Sequence, residues 1–284
     1  MTIYFIDGQF TSKDSLNISI DDRGYYFGDG VYEVVKVYDG ELFTAEEHFS
    51  RLFQSASKIK MTIPYSEQQL IDIAKELVKV NEVETGHIYM QVTRGASPRV
   101  HQFPELSVAP VVTAYAIHNP RPLTNIEGGV SVKSVEDVRW LRCDIKSLNL
   151  LANVLAKQEA YDAGCVEAIF VRDGLVTEGS SSNAFGVKDG VVITHPATNL
   201  ILNGITRQVV LKLCNELGIP VEERAFTPDE MNAMDEFFIT STTAEITPVV
   251  LIDEKPVGSG APGQITRKLQ EAFARQIPLS VAGE

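Results

Sequence analysis

The chain has 284 residues, 44% hydrophobic and 22% charged. That is enough to bury a sizeable core without staples and, at about 100–200 residues per domain, to form two domains. A net charge of −13 excludes a duplex-binding surface, which needs a local excess of Lys and Arg. No nucleic-acid partner is expected, and any anion site must be local, built from a few arginines and helix ends.

Val31 to Tyr38 reads as a strand, Asp39-Gly40 as a type I′ turn and Glu41-Leu42-Phe43 as the return. Period two places Tyr32, Val34, Lys36 and Tyr38 on one face. A helix follows, with Thr44 and Glu47 as a capping box and Phe49, Leu52, Phe53, Ala56 and Ile59 as its apolar stripe. Arg51 points away from that stripe, with Glu47 four residues earlier, so periodicity makes it a solvated ion pair. A second helix starts at Ser66, with Gln69 completing the box.

His87 to Arg94 and Val108 to Ile117 are β-rich, separated by an irregular stretch from Gly95 to Leu106. Asn119-Pro120-Arg121-Pro122 is an extended breaker. It divides a small domain, 1–118, from a larger one, 123–284, with 119–122 as linker. Beyond it, strands are expected at Val130–Val135, Ala168–Val171 and Val176–Thr177, a hairpin over Asn183–Thr194, and strands at Phe237–Thr240 and Thr247–Ile252. Helices are expected at Ser147–Ala163, Ile205–Leu217 and Thr266–Gln276. This mixture, with Asp-Gly turns at 173–174 and 189–190, argues for an α+β fold rather than a doubly wound sheet.

Three cysteines without a CxxC leave little support for a disulfide framework or a metal site, and suit a reducing cytoplasm. No secretory leader is visible, and no apolar run approaches the roughly 20 residues of a membrane span. Gly258-Ser259-Gly260-Ala261-Pro262-Gly263 matches GxGxxG, but the chain ends too soon for the βαβ unit that a dinucleotide site requires.

Other residues are better placed for chemistry. Lys146 stands just before a strong helix, where the positive dipole end makes an ordinary ammonium mildly unfavourable but does not oppose a nucleophilic amine. Glu178, after a hairpin, precedes Gly179-Ser180-Ser181-Ser182-Asn183. Each alone reads as a surface residue. Together they match the needs of pyridoxal phosphate (PLP): a Schiff-base lysine and a carboxylate at the pyridine nitrogen. Gly204-Ile205-Thr206 opens a helix whose free N–H groups suit a phosphate, and Ser241-Thr242-Thr243 adds hydroxyl donors. Arg99 and His101, on a loop, are a solvated basic pair or a carboxylate trap.

These pieces resemble the fold-type IV PLP enzymes, a two-domain family that includes the branched-chain and D-amino-acid aminotransferases and aminodeoxychorismate lyase. The matching segments are Asp22-Arg23-Gly24-Tyr25-Tyr26-Phe27-Gly28-Asp29-Gly30-Val31-Tyr32-Glu33, Cys143 to Asn149, Glu178 to Asn183 and Leu202 to Arg207. They span nearly the whole chain. Arg99-Val100-His101 turns the likeness toward the D-amino-acid branch. The resemblance implies PLP on Lys146, Glu178 at the ring nitrogen, and Arg51, Ile205, Thr206 and Thr242 at the phosphate. It also implies a homodimer in which Arg99 and His101 reach the neighbouring active site and, with Tyr32, hold the substrate carboxylate, while Val34 and Lys36 line the pocket. The implied activity is ping-pong transfer of an amino group between D-amino acids and 2-oxo acids. A branched-chain L-amino-acid aminotransferase, an aminodeoxychorismate lyase and a non-catalytic PLP carrier are the rival readings.

Overall fold

The computed structural model describes residues 2–278. They form two compact units, one running to Arg121 and including Ile145–Asn149, the other comprising Pro122–Asp144 and Leu150–Ile277. The first contains strands β1 (Ile3–Ile6), β2 (Gln9–Ser12), β3 (Gly30–Tyr38), β4 (Glu41–Leu42), β5 (Gly86–Thr93) and β6 (Val111–His118), with helices α1 (Arg23–Phe27), α2 (Ala45–Lys58) and α3 (Glu67–Val80). The strands make an antiparallel sheet in the order β2-β1-β6-β5-β3-β4. Asp39 and Gly40 have φ of 50° and 76°, the positive pair that a type I′ turn needs. Asp7-Gly8, also positive at both residues, turns a hairpin absent from the expected elements, because its strands are only four residues each.

Period two sorts β3 as expected. Val31, Val35 and Val37 enter a core with Phe49, Leu52 and Ala56 of α2 and Leu70, Ala74 and Leu77 of α3. Burying a side chain of this size contributes about 1.5–3 kcal/mol. The Ser66–Gln69 capping box forms on α3. That of α2 does not: Thr44 is left-handed, at φ 52°, makes no cap bond and turns its hydroxyl back to the Phe43 carbonyl.

Arg51 is buried, against the expectation from periodicity. α2 lies on β3, and Glu33, on the helix-facing side of that strand, supplies the counter-ion. Arg51 donates Nε to Glu33 Oε1 at 2.6 Å and Nη2 to Oε2 at 2.8 Å, and His48 Nδ1 lies 2.8 Å from Oε2. Burial pushes the Glu33 carboxyl up, but Arg51 and His48 outweigh it and hold the group well below the usual carboxylate range.

The second unit contains α4 (Leu123–Gly128), β7 (Val130–Glu136), α5 (Leu151–Asp162), β8 (Glu167–Arg172), β9 (Leu175–Gly179), β10 (Asn183–Lys188), β11 (Val191–Thr194), α6 (Ile205–Glu216), β12 (Val221–Glu223), α7 (Pro228–Asn232), β13 (Glu236–Ser241), β14 (Glu245–Ile252), β15 (Lys255–Pro256) and α8 (Gln264–Ala274). Its sheet runs β12-β11-β10-β13-β14-β7-β8-β9, with β15 on β14. β7 is parallel to both its neighbours and β12 to β11; the other pairs are antiparallel. α4, β12, α7 and β15 lie outside the expected elements. β14 and β15 form an antiparallel hairpin before the GxGxxG run, and among the described residues no strand follows α8 to complete a βαβ unit. The first amides of α8 are taken by the Glu236 carboxylate, at 2.9 Å from Ile265 N and 2.8 Å from Thr266 N.

Two expectations about the lysine segment fail. It belongs with the first unit, not the second, and the helix after it begins at Leu151 rather than Ser147. The cause is backbone pairing with β3: the Tyr32 N–H donates to the Lys146 carbonyl at 3.0 Å, and the Leu148 N–H to the Gly30 carbonyl at 3.1 Å. Ile145 anchors the same segment in the core of the first unit.

The Glu33–Arg51–His48 cluster gives a pH dependence of defined sign. A depressed carboxyl contributes stability above its ordinary value, near 4.3, and that stability is lost as pH falls toward the folded-state value. Melting temperatures should therefore drop from about pH 4.5 downward. Glu33→Gln should cost about 3–5 kcal/mol at pH 7, because it strands Arg51, and should make the acid limb shallower. An unchanged limb in that variant, followed by thermal melts from pH 7 to 3, would remove Glu33 as its source.

Candidate active site

In the first unit the Lys146 side chain is half-buried, and its Nζ lies 4.1 Å from the centroid of the Tyr32 ring. An ammonium over a ring face is attracted by the ring quadrupole, so Tyr32 fixes the direction of the amine. The Lys146 N–H donates to Ser55 Oγ at 3.2 Å, tying the segment to α2. Tyr32 begins a stack across the sheet, with centroids 5.6 Å from Tyr32 to Tyr89, 5.2 Å from Tyr89 to Tyr115 and 5.4 Å from Tyr115 to Tyr4. Burial raises the Tyr89 and Tyr115 phenols, keeping them neutral.

Val34 and Lys36 share the Tyr32 face of β3. Lys36 is buried, with Nζ 3.4 Å from the Asn119 carbonyl and 5.4 Å from the centroid of the Tyr38 ring. Arg99 and His101 lie on the loop after β5, and both rest on Phe27. The Arg99 guanidinium is 5.1 Å from its centroid and the His101 ring 5.6 Å. Among the described residues, no hydrogen bond or ring contact joins either of them to Tyr32 within one chain.

In the second unit Glu178, on β9, is buried and accepts three hydrogen bonds. Oε1 accepts from Arg139 Nη1 at 2.6 Å; Oε2 accepts from Asn183 Nδ2 at 3.1 Å and from the Leu202 N–H at 3.0 Å. Burial pushes its carboxyl up to about 7, against the pull of Arg139. Arg139 also clasps Asp137 through Nε and Nη2, both at 2.9 Å, and lies over Phe170 at 4.2 Å. Asp137 is itself buried, but Arg139 and Arg172 bring it down to about 2. Sequence reasoning missed Arg139 altogether: nothing in Asp137-Val138-Arg139 has a spacing that distinguishes it from surface charge.

Glu178 connects to the start of α6 through Asn183, whose Nδ2 also donates to the Leu202 carbonyl at 2.8 Å. A Cβ on Gly204 would come within 2.1 Å of Asn183 Oδ1, so only glycine fits this approach. Ile205 and Thr206 are buried, and no side chain caps the helix they open, in contrast to α8. Thr240, paired with Asn183 across β10 and β13, has a buried Oγ1 with no hydrogen-bond partner. Thr242 stands in the turn between β13 and β14. A buried carboxylate, an uncapped helix start and an orphaned hydroxyl on one sheet fit a group with a protonated ring nitrogen and an anionic end.

Residues 30–252 match the model of the family described as amino-transferase class IV. The chain is 50% identical over 277 residues, covering 98% of both chains, to D-alanine aminotransferase of Staphylococcus haemolyticus. Among solved structures it resembles the branched-chain amino acid aminotransferase of Escherichia coli, with a TM-score of 0.91, 26% identity, and 99% of this chain and 97% of that one covered. It also resembles a T.th. branched-chain amino acid aminotransferase with pyridoxamine 5′-phosphate, with a TM-score of 0.88, 28% identity, and 96% and 93% covered. The match over residues 30–252 and the 50% identity over nearly the whole chain show that this chain belongs to the class IV aminotransferase family.

Proposed function

We propose that the chain is a PLP-dependent D-amino-acid aminotransferase, moving the amino group between D-alanine or other D-amino acids and 2-oxoglutarate or other 2-oxo acids. The observation that carries the D-amino-acid reading over the branched-chain one is identity. Half of all positions match a D-alanine aminotransferase, against about a quarter for the branched-chain enzymes. Three free cysteines support a reducing compartment such as the cytoplasm.

Bound PLP supplies an electron sink for charge that develops at the substrate Cα. Lys146 would hold the cofactor covalently and, with substrate bound, would move the proton at Cα as base and acid. Glu178 would accept the hydrogen bond of the ring nitrogen. Its donors favour the carboxylate while burial opposes it, and a cationic ring N–H beside it would tip that balance toward the charged form. Arg51 and the Ile205 and Thr206 amides hold the phosphate, with Thr242 assisting. Tyr32, with Arg99 and His101 contributed across a dimer interface, anchors the substrate carboxylate, and Val34 and Lys36 line the side-chain pocket.

The dimer has support of its own. α5 buries Ala156 and Ala160 yet exposes Leu151 at 73%, Val154 at 59% and Leu155 at 60%, and Trp140 and Leu141 are exposed on the preceding loop. Apolar exposure along one helix marks a protein interface.

Three outcomes are expected. Borohydride reduction of the loaded protein, followed by peptide mapping, should find the pyridoxyl group on Lys146; any other lysine ends that assignment. With 2-oxoglutarate as acceptor, kcat/KM should be higher for D-alanine than for L-alanine or L-valine, and Arg99→Ala should lower the D-alanine value roughly 10- to 100-fold, as loss of a charge-assisted hydrogen bond predicts. A wild type that prefers the L-substrates would overturn the D-amino-acid reading. Leu155→Glu should convert a dimer to a monomer in light scattering and abolish activity with it; a fully active, monomeric wild type would contradict the shared site.

A further inference from the structure

Arg23 opens α1 and is 3% exposed. No catalytic or cofactor role above uses it, yet each face of its guanidinium is engaged. Nε donates to Asp29 Oδ2 at 2.8 Å, Nη1 to the Val100 carbonyl at 2.8 Å, and Nη2 reaches the His101 carbonyl at 3.5 Å. Its Cζ lies 4.9 Å from the Phe27 centroid, the ring on which Arg99 and His101 also rest. Asp29 is held in turn by Arg94, through Nε at 2.9 Å, and Arg94 is fixed by the Ile59 and Lys60 carbonyls at 2.7 and 3.1 Å. The Asp22 carboxylate completes the frame, accepting from the Gly24 N–H at 2.7 Å and from Thr93 Oγ1 at 2.7 Å.

Besides this grip, the loop is held by ring contacts, Arg99 and His101 on Phe27 and Phe103 on Arg94, and by the Ser97 N–H to the Asp21 carbonyl. Arg99 and Val100 are exposed, and the Val100 N–H bonds only locally, to the Pro98 carbonyl at 2.8 Å. Two successive carbonyls, Val100 and His101, are bound by one guanidinium whose remaining edge is locked to Asp29. That geometry needs a planar fork. A lysine offers a single head and cannot bridge the carboxylate and both carbonyls.

We propose that Arg23 is a positioning residue for substrate recognition, clamping the backbone at Val100 and His101 so that the Arg99 and His101 side chains point in a fixed direction. The inference rests on Arg99 and His101 binding the substrate carboxylate, as proposed above. An unclamped loop keeps both side chains but presents them in many orientations. The loss therefore falls on substrate binding and leaves cofactor retention alone.

The test compares wild type, Arg23→Gln and Arg23→Lys holoenzymes, and Arg23→Gln within an Arg99→Ala, His101→Ala background. Readouts are D-alanine kinetics with 2-oxoglutarate, cofactor content by absorbance, and the rate of tryptic cleavage after Arg99 by mass spectrometry. Arg23→Gln should raise KM for D-alanine about tenfold, the effect of one charge-assisted hydrogen bond, with kcat changed less and cofactor content unchanged. Cleavage after Arg99 should accelerate, and Arg23→Lys should not restore wild-type KM. In the double-substituted background, Arg23→Gln should add nothing to KM. Wild-type KM and cleavage in folded Arg23→Gln would overturn the proposal, as would the same rise in KM without Arg99 and His101. If Arg99→Ala, His101→Ala alone leaves KM unaltered, the carboxylate reading fails, and the cleavage rate alone then decides whether Arg23 holds the loop. Should Arg23→Gln not fold, Arg23→Lys is read by the same criteria.

Discussion

Backbone pairing with β3, from the Tyr32 amide to the Lys146 carbonyl and from the Leu148 amide to the Gly30 carbonyl, places Lys146, the lysine proposed to carry the cofactor. Because these bonds are between main-chain groups, the lysine takes its place from the path of β3 and not from the packing of a mobile side chain. The same strand fixes much else through its alternation. One face carries Tyr32, Val34 and Lys36. The opposite face carries Glu33, which draws Arg51 and His48 of α2 into the interior. A slip of one residue in β3 would exchange these faces and undo every role at once.

The second unit meets a different problem with the same residue types. Asp137 and Glu178 both touch Arg139, yet one carboxyl is brought down to about 2 and the other is pushed up to about 7. Asp137 has a second arginine, Arg172, and the Thr177 hydroxyl. Glu178 is buried too but shares its one arginine, Arg139, with Asp137, so less counter-charge offsets the desolvation of its carboxylate. A carboxylate held between these influences responds strongly to one more cation, which a solvated carboxylate would not.

Much of the architecture was legible because it follows from local chemistry. The Asp-Gly turns, the Ser66–Gln69 box, the amphipathic stripe of α2 and the uncapped start at Gly204 are written in short windows of sequence. Failures occurred where a long-range partner decided the outcome. Arg51 reads as solvated until Glu33, 18 positions away, supplies its counter-charge. Ser147 reads as helical until β3 claims the backbone on either side of it. Thr44 reads as a cap, but the tight hairpin before it forces a left-handed backbone that turns its hydroxyl away. Arg139 carries no local signal at all, and its importance appears only when Glu178 and Asp137 are both placed around it.

Trp140 is the single tryptophan of the chain, and its position has an optical consequence. The indole follows Arg139 directly in sequence and is 46% exposed beside Leu141. All indole emission therefore originates at one residue, bonded on one side to the arginine that grips Glu178 and neighbouring on the other an uncovered apolar surface. A shift in its colour or lifetime reports a change in the hydration of this half-exposed indole. The native chain thus contains its own site-specific fluorophore, with no label required.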